Sequence, residues 1–169
     1  MDRFLEEIVV KKNKTGNEIL FYLSMVVMVL SGILALFLLN VLFMNFSIPA
    51  LIETLVFAGV AVVLFLFRDR LRTEYEYTFT NGDLDFAMVF NNSKRKSLGS
   101  LKVRNVEAFG PVTGNAFNRY VTMPGIRKDN WFLNRGSNLY YFYFQKESNK
   151  RMIIIEPNEE MISFIKQYL

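Results

Sequence analysis

The residues of this 169-residue chain best suited to binding chemistry are cationic and aromatic. Lys94, Arg95 and Lys96, with Lys102 and Arg104 close behind, form its densest basic group. Such a group attracts anionic lipid headgroups at about 1 kcal/mol per basic residue close to a membrane surface. The blander reading is an exposed hairpin kept soluble by charge. A second set, Phe117, Arg119, Tyr120, Arg127, Trp131 and Arg135, gathers residue types enriched in binding hot spots within one long loop-like stretch. Two readings of it stand side by side: a surface for a protein partner, or rings that cover an open end of the fold.

Catalysis has far less to draw on. The chain has no cysteine and no histidine. That removes thiol nucleophiles, disulfides, thiolate or imidazole metal sites and every triad with an imidazole base. Asn81, Asp83 and Asp85 offer oxygen atoms to a hard cation, but a calcium loop needs a longer series closed by a bidentate glutamate, and Asn-Gly-Asp is itself a turn signature. No GxxxxGK[ST] or GxGxxG follows a strand, so nucleotide binding lacks support. The expectation is no enzyme, no metal and no cofactor. A catalyst built from this chain would have to use carboxylates, lysine or tyrosine alone, with Asp83 and Glu107 the first to test. Tyr140 to Phe144 is an aromatic run with few basic neighbours, read as a central strand covered on both faces and not as a base-stacking platform. No nucleic-acid partner is expected. The triplets beginning at Asn13, Asn45 and Asn91 fit the glycosylation pattern by chance, two being on the cytoplasmic side and one too near the bilayer.

The elements that must position these residues begin with a membrane anchor. No charged residue lies between Glu18 and Glu53, and a run apolar all round for that length suits a bilayer, which needs roughly 20 such residues, better than a globular core. A first transmembrane helix is expected from Ile19 to Phe43. Asn45, Ser47 and Pro49 then supply a turn, an N-cap hydroxyl and a proline suited to a first helical turn. A second helix from Leu51 to Phe67 spans about 26 Å, with Arg68 and Arg70 snorkelling to complete the crossing. The first run is too long for a signal peptide and lacks a small-residue cleavage site, so it reads as an uncleaved anchor. Glu53, in the first turn of its helix, suits the helix dipole better than a proton pathway. Gly32 and Gly59 fall at similar depths, where the helices are expected to cross closely. Lys11, Lys12 and Lys14 precede the hairpin, Arg68, Arg70 and Arg72 follow it, and the connecting loop has neither Lys nor Arg, so both termini are expected in the cytoplasm.

Residues 1–18 read as a cytoplasmic amphipathic segment. Phe4, Leu5, Ile8 and Val9 recur at helical spacing, consistent with a short helix in the membrane interface or docked on the cytoplasmic domain. From Thr73 the period becomes two. Tyr75, Tyr77 and Phe79 alternate with polar residues, Asn81-Gly82-Asp83 makes a hairpin turn, and Leu84, Phe86, Met88 and Phe90 form the second strand. Further strands are expected at Ser97 to Val103, Val106 to Phe109, Leu139 to Lys146 and Arg151 to Glu156, the last two joined by a turn through Ser148 and Asn149. The stretch from Val112 to Gly136 reads as loop. A final helix starts at Pro157 or Asn158, with Met161, Ile162, Phe164, Ile165, Tyr168 and Leu169 on its apolar face.

Six or seven short antiparallel strands closed by one helix is a known small-domain plan. The aromatic strand Tyr75-Glu-Tyr-Thr-Phe79, the turn Asn81-Gly-Asp83, the strand Leu84 to Phe90, the run Lys94-Arg-Lys96, the segment Leu101 to Val106 with its Val106-Glu-Ala, and the closing Ile153-Ile-Ile-Glu-Pro157 resemble bacterial pleckstrin-homology-like (PH-like) domains that follow a pair of transmembrane helices. The opening Met1 to Lys12 resembles small two-helix membrane proteins of Gram-positive bacteria. The resemblance covers nearly the whole chain and departs from the domain at Val112 to Asn134. It implies an α+β membrane protein: a transmembrane hairpin at 19–67, then a cytoplasmic PH-like antiparallel β barrel or sandwich with a C-terminal helix at 73–169. It also implies a tethered scaffold or sensor and brings no catalytic residue. The expected function is a plasma-membrane-anchored binding or scaffold module. Its expected partners are anionic lipids of the inner leaflet, another membrane protein or a second copy. The alternative is an accessory subunit of a transporter or of an immunity system against membrane-active peptides.

Overall fold

A computed structural model of the chain describes residues 3–146 and 149–169. Its contacts divide into two units, residues 13–73 and residues 1–12 with 74–169.

The first unit is the helical hairpin. Helix α1 (Thr15–Met44) starts four residues before the expected Ile19, and α2 (Ile48–Phe67) three before the expected Leu51. Between them Ser47 caps α2, its side chain accepting from the Ala50 N–H, with Pro49 in the first turn, where a missing N–H costs nothing. Both helices are long and apolar enough to cross a membrane. Only 11% of the most apolar stretch of α1 and 6% of that of α2 is buried, the opposite of a soluble core helix. The early start of α1 has a local cause. Glu18 pairs with Arg72 in a 3₁₀ turn (Arg68–Arg72), Nε lying 3.0 Å from Oε1, and the guanidinium stacks 3.7 Å from the centre of the Phe21 ring. Asn17 Nδ2 donates to the Leu71 carbonyl at 2.8 Å, so the two ends of the hairpin are tied side by side. The expected glycine crossing is not found: a Cβ added at Gly32 or Gly59 would meet nothing within 4 Å. The buried small residues are Ser31, Ala35 and Thr54, whose side chains fill space where bare backbone would leave a gap.

The second unit is a sandwich of two four-stranded sheets closed by a helix. One sheet has the order β1-β2-β3-β4, formed by β1 (Phe4–Val9), β2 (Thr73–Thr80), β3 (Asp83–Phe90) and β4 (Lys94–Lys102). Asn81 at φ 50° and Gly82 at φ 97° make the two-residue turn between β2 and β3 that Asn-Gly encodes. Gly82 also lies under a ring: a Cβ there would come within 2.6 Å of Tyr168 Cδ1. In β4 the register slips opposite Phe86 and Ala87, and Gly99 at φ 141° absorbs the bulge.

The other sheet has the order β5-β7-β8-β6, from β5 (Ala108–Pro111), β6 (Arg127–Trp131), β7 (Tyr140–Lys146) and β8 (Asn149–Ile155). Its β6 runs parallel to β8 and every other pair is antiparallel. Among the described residues no strand pair joins the two sheets, so this is a sandwich and not a closed barrel. Helix α4 (Glu159–Tyr168), capped by Asn158, sets Met161 and Ile165 into the core, with Phe164 and Tyr168 against the Phe79 ring, while Leu169 stays exposed. The core itself is Tyr77, Phe79, Leu84, Phe86, Phe142 and Ile155. A smaller cluster of Tyr141, Tyr143, Met152 and Ile154 lies on the other face of the second sheet under α3 (Asn115–Val121). Strand β7 is therefore covered on both faces, as its unbroken aromatic run implies.

Three further expectations, all in this unit, are corrected. Residues 4–9 are a strand, not a helix: Leu5, Glu7 and Val9 face inward opposite Phe79, Tyr77 and Tyr75, leaving Phe4 62% and Ile8 58% exposed on the outer face. In six residues the two periods fit equally, and the apolar pair outside with a carboxylate inside hid the alternation. The stretch from Val112 to Gly136 is not all loop, since it holds α3 and β6; Arg-Lys-Asp-Asn-Trp is an edge strand with little apolar pattern to read. Strand β4 begins at Lys94, not Ser97, because Asn91 and Asn92, at φ 48° and 50°, finish the turn early. The expected turn through Ser148 lies partly outside the described residues.

Candidate functional site

The basic group divides. Lys94 lies opposite Phe90, which the two-residue turn sets opposite Thr73, where the chain enters β2 from the hairpin. Lys94, Arg95 and Lys96, all exposed, thus stand at the end of the sheet from which the helices depart. Lys102 lies opposite Asp83 beside the Asn81-Gly82 turn, with Arg104 in the 3₁₀ turn that follows. Six residues of strand put Lys102 about 20 Å from Lys96, so the five cations do not act as one patch. Arg95 is also engaged. It ion-pairs with Glu76 at 2.7 Å, and the Glu76 carboxyl is nearly buried. Burial pushes that carboxyl above its usual range, a hydrogen bond with Glu6 adds to the rise, and the Arg95 charge opposes both.

The second candidate set divides by chemistry. Phe117 packs 5.3 Å from the Tyr141 ring, and Tyr120 stacks at 4.5 Å on Tyr143, so these rings roof the second sheet. Trp131 is buried against Phe86 at 4.8 Å and offers no surface anchor. The arginines face water: Arg119 on the last turn of α3, Arg127 at the start of β6, and Arg135 at the rim of a cavity of about 270 Å³ formed with Pro111, Thr113, Ser137 and Tyr140.

A polar network was not read from the sequence. Glu156 accepts from the Asn134 backbone N–H at 3.0 Å and from Asn134 Nδ2 at 2.9 Å; Asn134 in turn donates to the Val10 carbonyl and accepts from the Lys12 N–H. Tyr77 donates to the Trp131 carbonyl and accepts from the Glu156 N–H, and burial pushes its hydroxyl well above the ordinary tyrosine range. Glu7 accepts from the Asn158 N–H at 2.8 Å. Its carboxyl is pushed up to about 7, chiefly by burial and further by the Glu156 charge, while the Asn158 hydrogen bond holds it back. The network fastens β1 to the second sheet and to the start of α4. Its signal in the sequence is weak: Glu7 sits among the apolar residues of β1 beside Glu6, and Glu156 directly follows the Met152–Ile155 run that ends β8. Among the described residues no group of three or more acidic side chains could hold a metal ion.

A family model described as a bacterial PH-like domain (DUF6106) matches residues 1–169. No curated protein and no solved structure matches the chain.

Proposed function

The chain belongs to the bacterial PH-like domain family DUF6106, and from that premise we propose that it is a non-catalytic binding module anchored in the plasma membrane. Its β domain faces the cytoplasm and engages the anionic inner leaflet through Lys94, Arg95 and Lys96. Bound there, it presents its outer surfaces to another membrane protein. One observation carries the reading: a hairpin of two exposed apolar helices is inserted between β1 and β2, adjacent strands of a single sheet. Both ends of the hairpin must then emerge on one side of the bilayer. The basic residues flanking it, and their absence from the short connecting loop, favour the cytoplasmic side. The basic triplet lies at the end of the sheet nearest that anchor along the chain, which supports a leaflet contact; Lys102 and Arg104 lie at the far end and are left out of it.

The absence of cysteine makes a clean test possible. The full chain with Ser93→Cys, in the exposed turn before Lys94, is reconstituted in neutral and in phosphatidylglycerol-containing nanodiscs, and labelling by a water-soluble thiol reagent is followed. Labelling should slow in the anionic discs. High salt, which cuts the Debye length to about 3 Å at 1 M, or the Lys94→Gln/Lys96→Gln variant should restore it. Equal rates in both discs would exclude the leaflet contact. Labelling of Ser163→Cys, exposed on α4, by an impermeant reagent in intact cells would overturn the cytoplasmic placement.

A further inference from the structure

On the second sheet, where β6 begins and the β7–β8 hairpin ends, Gly125, Arg127, Lys146, Asn149, Lys150 and Arg151 line a concavity of about 440 Å³. Four of the six are cations and none brings an apolar side chain. The parallel register sets Arg127 directly opposite Arg151, while the antiparallel one sets Lys146 opposite Asn149 and Lys150 opposite Gln145. Like charges facing each other across neighbouring strands destabilise a sheet unless something neutralises them. Among the described residues one carboxylate reaches the two arginines. Asp129 takes Arg151 Nη2 at 2.5 Å and reaches Arg127 Nε at 3.4 Å, so both guanidinium groups share a single negative charge. Lys146 adds a positive charge on the same face, and Lys150, which alternation sets on the other face of β8, lines the rim. Arg151 Nε is buried with no hydrogen-bond partner among the described residues, a donor left over after Asp129 has been used.

From this arrangement we infer that the hollow is a binding site for a phosphate group, either a phosphomonoester or a diphosphate. The chemistry fits in three respects. A phosphate dianion offsets the charge that Asp129 leaves. Its tetrahedral oxygens accept from planar guanidinium forks and from lysine ammoniums together, a combination a single carboxylate does not satisfy. Gly125, at φ 74° with open space where a Cβ would stand, turns the chain at the rim without a side chain to fill the hollow. The site is separate from the basic triplet on β4, and does not depend on that triplet touching the leaflet.

The phosphate could belong to a soluble metabolite or to a lipid headgroup, and one experiment distinguishes them. The full chain in phosphatidylcholine nanodiscs is acetylated with a water-soluble amine reagent, and each lysine is read by mass spectrometry. Three arms are compared: neutral discs alone, neutral discs with inorganic pyrophosphate, and discs containing phosphatidic acid. At a probe concentration about twice its Kd, Lys146 should be protected about threefold, by simple occupancy, and Lys150 at the rim less so. Lys128, on the opposite face of β6, and Lys166, on α4, should label as before. Protection by pyrophosphate assigns a soluble phosphate, and protection in the phosphatidic acid discs alone assigns a headgroup. In either case Arg127→Gln, whose exposed side chain carries little of the fold, should abolish it, and Lys94→Gln/Lys96→Gln should not. Unchanged labelling of Lys146 and Lys150 in all arms overturns the inference. So does protection that extends equally to Lys128, or that survives Arg127→Gln, since charge screening alone would produce it.

Discussion

Replacing Glu7 with Gln should stabilise the β domain at alkaline pH and leave it unchanged near pH 4. Glu7 sits on the inner face of β1, with one oxygen on the Asn158 N–H and the other buried without a partner among the described residues. Its carboxyl is raised from 4.5 to about 7. A carboxyl raised on folding is protonated more readily in the folded state than in the unfolded one. It therefore opposes folding increasingly as pH rises from 4.5, and the penalty is complete above 7. The full shift corresponds to roughly 3 kcal/mol, and because the side chain keeps partial contact with water, screening reduces this to about 1–2 kcal/mol. Glutamine retains the acceptor for Asn158 and removes the charge beside Glu156. The chain has a single tryptophan, Trp131, buried in the core, so its fluorescence reports unfolding of the β domain within the full chain in neutral detergent. Urea midpoints of the two proteins should coincide near pH 4 and separate by pH 8, the variant being the more stable. A gap that does not change with pH, or a variant weaker at pH 8, would refute the assignment of Glu7 as a desolvated carboxyl.

Two further outcomes test the strand at the N-terminus and the turn beneath α4. Val9→Asp, on the inner face of β1 opposite Tyr75, should cost at least about 3 kcal/mol in the same urea assay. Ile8→Thr on the outer face should stay within about 0.5 kcal/mol, and equal losses at the two positions would restore the helical reading of residues 4–9. Gly82→Ala should cost about 1–3 kcal/mol, since it places a Cβ at φ 97° and against the Tyr168 ring. Trimming that ring with Tyr168→Ala should make the second change, Gly82→Ala, less costly in the double variant than in the native chain.

What could be read from the sequence was whatever a single residue type or a long pattern enforces. The hairpin shows because charge is absent from Glu18 to Glu53, and the β2–β3 turn because Asn-Gly supplies two positive φ values in a row. Strand β7 shows because no face of it needs water. The rest depends on distant partners. Strand β1 has only six residues, and its inward Glu7 is tolerable because Asn158, far along the chain, donates to it. Trp131 looked like a surface anchor because the Phe86 ring that buries it lies on the other sheet. Arg127 reads as part of a partner-binding stretch and Arg151 only as the start of a strand until the parallel β6–β8 register brings them face to face. The cations from Lys94 to Arg104 looked like one patch only because sequence distance is short along an extended strand.

The insertion of the anchor between β1 and β2 also bears on how the domain assembles. Closing a flexible loop of the length from Val9 to Thr73 before those strands can pair costs about 3–4 kcal/mol in chain entropy by the logarithmic loop law. With the helices packed, that cost is already met. Asn17 holds the Leu71 carbonyl and Glu18 holds Arg72, so the chain leaves and re-enters the hairpin within neighbouring turns. Pairing β1 with β2 then resembles closing a short connection. In return, the paired strands hold the two helix ends together. A fragment beginning at Thr73 would lose both contributions at once, and Tyr75, Tyr77 and Phe79 would face an edge that β1 no longer covers. The β domain is therefore not an independent module on a passive tether. Insertion of the hairpin and completion of its first sheet stabilise each other, and binding experiments on this protein need the whole chain.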